Sequence, residues 1–176
     1  MFVNCHKRTL DVSAVEARTV AGREKIDKAR RQIVYNNNFP DKEGAMTYKG
    51  YTDPCYLTTV EDLHGRLDEV VLIDVRAGED YAGGHIEGAR HFDLYGLDIN
   101  DTAEAPLDAF LWMMETLFGA HGVGNDCPVV FCEQESGSRA ARAVWFLDFF
   151  GHSDARLLDG GFQAWQTAGL EPTTAT

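Results

Sequence analysis

The sequence predicts an α/β domain on a parallel sheet, and three observations carry that expectation. From Tyr51 onward short apolar runs alternate with helical patterns, as strands joined by helical crossovers do. The run VVLID, Val70–Asp74, is apolar on both faces, which a central parallel strand requires. Pro106 stands at a helix start, and Gly119, Gly151 and Gly169 stand where helices should stop.

The elements follow in order. CYLTT supplies a first strand, and a helix is expected from about Val60 to Arg66. VVLID is the second strand, and ARHFDL offers a short strand at the sheet edge. PLDAFLWMMETLFG reads as a helix, followed by a strand at Val129–Phe131 and a helix from about Ser138 to Phe150. That helix carries Val144, Trp145, Phe146, Leu147, Phe149 and Phe150, so wide burial is expected of it, against the sheet and against another domain. ARLLD gives the last strand, and a final helix runs from about Phe162 to Ala168.

Residues 1–50 read as a helical amino-terminal extension and residues 51–176 as the main domain. The extension places Ile26, Ala29 and Ile33 on one helix face before the breaker-rich NNNFPDKEG. It holds ten of the 16 basic residues and six of the 28 acidic ones, which leaves the main body six arginines, no lysine and 22 carboxylates. Such a body repels nucleic acid and anionic membrane, so neither is an expected partner. An anionic substrate must be held by local geometry.

No apolar stretch approaches the roughly 20 residues of a membrane helix, and the opening residues lack the apolar block of a secretory signal, which favours a cytoplasmic protein. Cys5, Cys55, Cys127 and Cys132 form no C-x-x-C pair and are expected as reduced thiols. No Cys/His cluster has metal-ligand spacing, so no metal site is expected.

The stretch VVFCEQESGSRAARAVWFL raises the functional question, because Cys132 closes an apolar strand just before a polar loop and a helix. Ligands bind at the carboxyl ends of parallel strands, and a helix start offers unpaired N–H groups with the positive end of the dipole. A thiol held there would be ionised and nucleophilic. Gly137 would let the loop turn its amides inward, and Arg139 would add a guanidinium. Against this, Glu133 and Glu135 bring negative charge, and a cysteine beside an apolar strand also reads as packing. The residues alone leave both readings open.

VVLIDVRAGEDYAGGHIEGARHFDL and RLLDGGFQAWQTAGLEP resemble the rhodanese domain over about Leu57–Pro172, through D-V-R, Y-x-x-G-H-I-x-G-A and the closing glycine pair and tryptophan helix. The segment GSRAARAVWFLDFFGH is most similar to the amino-terminal half of double-domain thiosulfate or 3-mercaptopyruvate sulfurtransferases. The resemblance implies a rhodanese-like three-layer α/β fold, a five-stranded parallel sheet flanked by helices. It also implies transfer of a sulfane sulfur from thiosulfate or a similar donor to cyanide or a thiol through a Cys132 persulfide. Glu133, Gln134, Glu135, Ser136, Gly137, Ser138 and Arg139 would then bind substrate, Asp74 and Arg76 would support the loop, and no metal or organic cofactor is called for.

The loop reads C-x-x-x-x-G-x-R, two residues longer than the common C-x-x-G-x-R, and so suits a wider anion. A rhodanese-like phosphatase or arsenate reductase is therefore a further alternative. The amino-terminal halves of the double-domain enzymes often carry an aspartate at the place assigned to Cys132 and act as non-catalytic scaffolds. A non-catalytic module for binding or regulation is thus the first alternative to the enzyme. A second rhodanese domain or another copy of the chain would meet the apolar helix.

Among the other marked residues, the resemblance implies that Asp74 and Arg76 are mainly hydrogen-bonding supports and that His85 is a satisfied structural group. Asp159, Gly160 and Gly161 should shape the turn into the last helix. Cys127 lies too far along an extended strand to bridge to Cys132, while Cys55 stays open as a resolving thiol. Trp112, Trp145 and Trp165 are expected in the core.

Overall fold

The structure, a computed structural model, describes residues 55–125 and 127–175, so the helix expected within residues 1–50 lies outside the described residues. Ten elements follow one another: β1 (Leu57–Thr58), α1 (Val60–His64), β2 (Val71–Asp74), α2 (Gly78–Gly83), β3 (Arg90–His91), α3 (Glu104–Ala120), β4 (Val129–Cys132), α4 (Ser138–Phe149), β5 (Ala155–Leu158) and α5 (Gly161–Thr167). The five strands form one sheet in the order β1-β5-β4-β2-β3, every pair parallel. The expected α/β fold and strand sequence are present. Helix α2 was not expected, because GEDYAG contains two glycines and too few apolar residues to show a helical period.

Strand parity divides the core. Ile73 of β2 and Val129 and Phe131 of β4 face α3 and α4, where they pack with Met114, Phe118, Ala143 and Leu147. Leu72, Val130 and Cys132 face the other side, among Leu63, Ile86, Leu158, Phe162 and Trp165. Alternate residues of a strand point to opposite faces, so a strand covered on both sides must be apolar throughout. All four residues of β4 are buried.

Four expectations are corrected here. Trp112 and Trp145 are 60% and 49% exposed, not core residues, and only Trp165 is buried. Helix α4 hides one face, through Ala140, Ala143, Val144, Phe146 and Leu147, while Trp145 lies outside and stacks on Phe149 at 5.3 Å. Cys127 is held in a disulfide and is not a reduced thiol. The strand that was to end at Phe131 runs on through Cys132, which pairs with Asp74 of β2.

The loop after β3 is tied down by Arg142 of α4, whose Nη2 donates to Leu94 O at 2.6 Å and Leu97 O at 2.7 Å. Among the described residues no helix is long and apolar enough to cross a membrane. Phe131 lies edge-on to Phe118 in the larger cluster. Phe131→Ala should therefore cost about 3–5 kcal/mol. Urea unfolding would show this as a lower midpoint with unchanged slope.

Candidate functional site

The carboxyl ends of β2 and β4 lie side by side, with the loop 133–137 leading from β4 into α4. This is the place where a parallel sheet offers a crevice. Asp74 ends β2 and Arg76 follows two residues later; both are buried. Arg76 Nη2 lies 2.7 Å from Asp74 Oδ2, while Nε reaches both carboxylate oxygens at 3.0 and 3.1 Å. The backbone N–H of Arg76 adds a further donor to Asp74 Oδ1 at 3.0 Å. The guanidinium also donates to Gly84 O at 2.7 Å and to Gln134 Oε1 at 3.4 Å, and lies 3.9 Å from the centre of the Phe162 ring. The pair is fork-shaped and satisfied by neighbours, which is what lets two charges stay buried.

His85 stands behind this pair. Its Nδ1 and Nε2 face the carbonyls of Tyr81 and Ala175 at 2.9 and 3.1 Å, and its ring stacks on Tyr81 at 3.9 Å. Its backbone exchanges hydrogen bonds with Thr173. These contacts tie the final residues to the α2 turn.

Cys132 does not stand in the loop. It is 0% exposed, and its Sγ donates to the carbonyl of Glu133 at 3.5 Å. Burial pushes the thiol far above its usual range, and the negative charges of Asp74 and Glu133 push the same way, while Arg76 opposes them. The expectation of a thiolate held by converging amides is therefore corrected. As the last residue of a strand, Cys132 shares the parity of Val130 and follows it into the core.

The loop amides hold Glu133 instead. Its Oε2 accepts from the N–H of Arg139 at 3.0 Å and of Ala140 at 3.1 Å, two groups of the first turn of α4. Those N–H groups lack partners within the helix, and the dipole there favours negative charge, so the carboxylate acts as a cap. Gly137 makes the fit, since a Cβ at that position would lie 2.5 Å from Glu133 Oε2.

The remaining loop residues are placed by α5. Phe162 N donates to Glu133 O at 2.8 Å and Gln163 N to Gln134 O at 3.0 Å. Ser136 Oγ donates to Asp159 Oδ1 at 2.9 Å and accepts from Gly160 N at 2.6 Å. Gly161 has φ +59°, and a Cβ there would lie 2.4 Å from Glu133 O, so glycine is required for the close approach. Gln134, Glu135, Ser136 and Ser138 are exposed. Arg139 offers its backbone to the loop, whereas its guanidinium is 42% exposed, 4.0 Å from Asp93 and 5.8 Å from the Tyr95 ring.

A twisted parallel sheet with a strand-to-helix loop closed by a glycine-started helix defines an α/β protein of the rhodanese type. A family model for the rhodanese-like domain matches residues 59–168, and the chain belongs to that family. It is 34% identical over 106 residues to a thiosulfate sulfurtransferase of Azotobacter vinelandii, covering 59% of this chain and 39% of the relative. It is 32% identical over 131 residues to the sulfur carrier protein TtuD of Thermus thermophilus, covering 71% of this chain and 44% of the relative. The chain thus spans about two-fifths of the length of these relatives. A 3-mercaptopyruvate sulfurtransferase from Leishmania major has a similar fold, with a TM-score of 0.55 and 24% identity over 71% of this chain and 38% of that one.

Two variants test this geometry. Arg76→Met strands the Asp74 carboxylate without its counter-charge and should cost about 3–5 kcal/mol in urea unfolding. Glu133→Ala removes the cap of α4 and should cost about 0.5–2 kcal/mol. In its amide NMR spectrum the Arg139 and Ala140 resonances should move most; if they stay in place, the carboxylate is not their partner.

Proposed function

We propose that this chain is a non-catalytic rhodanese module serving a thiosulfate-type sulfurtransferase, with the sulfur-bearing cysteine supplied by another rhodanese domain. One observation carries this reading: the two α4 amides that could hold an anionic sulfur hold the Glu133 carboxylate. The site is filled from within by a negative group. An incoming anion would have to displace that group, against the net charge of −12 on the whole chain. The same occupant opposes a phosphate or arsenate, which weighs against the oxyanion enzymes. The relatives named thiosulfate sulfurtransferase are consistent with this role, since the chain spans only 39% of the Azotobacter vinelandii protein.

The identity to that sulfurtransferase favours a second reading, transfer through Cys132 itself. In that reaction the Cys132 thiolate attacks the outer sulfur of thiosulfate, the S–S bond of thiosulfate breaks, and sulfite leaves with the bonding pair. Cyanide or a thiol then takes the sulfur from the persulfide. The sulfur would first have to leave its place beside Val130 and lose its proton, two steps that the buried geometry opposes.

Mass spectrometry of the native protein after thiosulfate treatment separates the two. Under the proposal Cys132 gains no sulfur and is alkylated only once the chain is unfolded. One added sulfur on Cys132, removed by cyanide and absent in Cys132→Ala, would overturn the proposal in favour of the enzyme.

A further inference from the structure

The outer side of α4 is aromatic. Trp145 is half exposed and stacks on Phe149 at 5.3 Å. Ring contacts run on from Phe149 to Phe150 at 5.9 Å, from Phe150 to Phe146 at 6.0 Å and from Phe146 to Phe110 of α3 at 5.8 Å. Phe146 is buried, so this row of rings joins the core to the surface, and a contiguous apolar patch of that kind marks a docking place. The described chain begins at its edge: Tyr56 Oη donates to Asp148 Oδ1 at 3.4 Å, and Asp148 stands between Trp145 and Phe149 on α4. Three residues past the end of α4, His152 Nε2 faces Gly124 O at 3.0 Å, and the same carbonyl accepts from Cys127 N at 3.4 Å. Cys127 is held in a disulfide while Cys55 and Cys132 are free thiols, so its partner lies outside the described residues, and the remaining cysteine of the chain is Cys5.

Residues 1–50 have the chemistry of a counterpart. They carry ten basic against six acidic residues, and six of the basic ones fall between Arg18 and Arg31, around the apolar positions Ile26, Ala29 and Ile33. The body holds six arginines and 22 carboxylates. A second copy would bring an equally acidic body to the patch and be repelled, whereas a basic segment is attracted. The 21 residues between Ile33 and Cys55 reach up to about 70 Å when extended, so the tether sets no limit on access. Tethering also raises the effective concentration of the segment to the order of 1 mM.

We propose that residues 1–50 fold back along α4, with Ile26, Ala29 and Ile33 on Trp145 and Phe149, the basic residues toward the carboxylates of α3 and α4, and Cys5 as the partner of Cys127. The patch is then a seat for the chain's own extension, and a second rhodanese domain or another copy has to displace it to use the same face. Nothing in this depends on whether Cys132 carries sulfur.

The test uses the full chain. The main body holds no lysine, so a zero-length carbodiimide link from a lysine must start in residues 1–50. Links from Lys25 or Lys28 to Asp108, Glu115 or Asp148 of the same chain are expected, and a non-reduced peptide map should join Cys5 to Cys127. Hydroxyl-radical footprinting should find Trp145 and Phe149 protected in the native chain and several-fold more reactive in Ile26→Glu with Ile33→Glu. Tyr95, which is exposed beside Arg139 at the other end of α4, should be unchanged. Arg23→Glu with Lys28→Glu keeps the apolar residues and should raise Trp145 reactivity in the same direction. Equal reactivity of Trp145 in the native chain and both variants overturns the proposal. So do lysine links that reach only other carboxylates or only a second chain, and so does a Cys127 not joined to Cys5.

Discussion

The parallel pairing of β2 with β4 sets Asp74 opposite Cys132 and decides where each side chain at the end of the sheet must point. Because both faces of β4 are covered, its side chains alternate between two apolar clusters without a polar interruption. Cys132 is the last residue bound by that rule. Glu133 is the first released from it, and the single step between them carries a side chain from the core to the start of α4.

Two buried or half-buried carboxylates at this edge are neutralised by different means. Asp74 has the Arg76 guanidinium, a full counter-charge in fork geometry. Glu133 has only N–H groups and the partial charge of a helix terminus. In a body with 22 carboxylates and six arginines, the field of the whole molecule helps neither. Local dipoles and a single buried arginine therefore decide which anions the site tolerates, and one of the two places is already taken by the chain itself.

The loop owes its form to α5 as much as to its own residues. The first amides of α5 bind the carbonyls of Glu133 and Gln134, so one helix start holds the backbone of the loop while another holds its side chain. The glycine pair before Phe162 is the condition for that approach, with Gly161 in a left-handed conformation against the Glu133 carbonyl. The match to the rhodanese-like domain across residues 59–168 thus extends over a loop whose occupant is a glutamate.

Much of the fold was legible because it depends on local pattern. The apolar runs at β2 and β4, the glycine stops and the proline start each report a backbone preference or a burial requirement that a short window contains. Helix α2 was not legible, since GEDYAG has no apolar stripe and buries none of its residues. Trp112 and Trp145 were misplaced for a related reason: the aromatic content of a helix does not say which face meets the sheet. At the site, the chain by itself determined that a polar loop joins a buried strand to a helix start, and that Asp74 and Arg76 accompany it. Only the tertiary structure decided that the strand runs one residue further. Its end is set by pairing with Asp74, a partner 58 residues away, and the change of one residue moved the thiol into the core and the carboxylate into the amides.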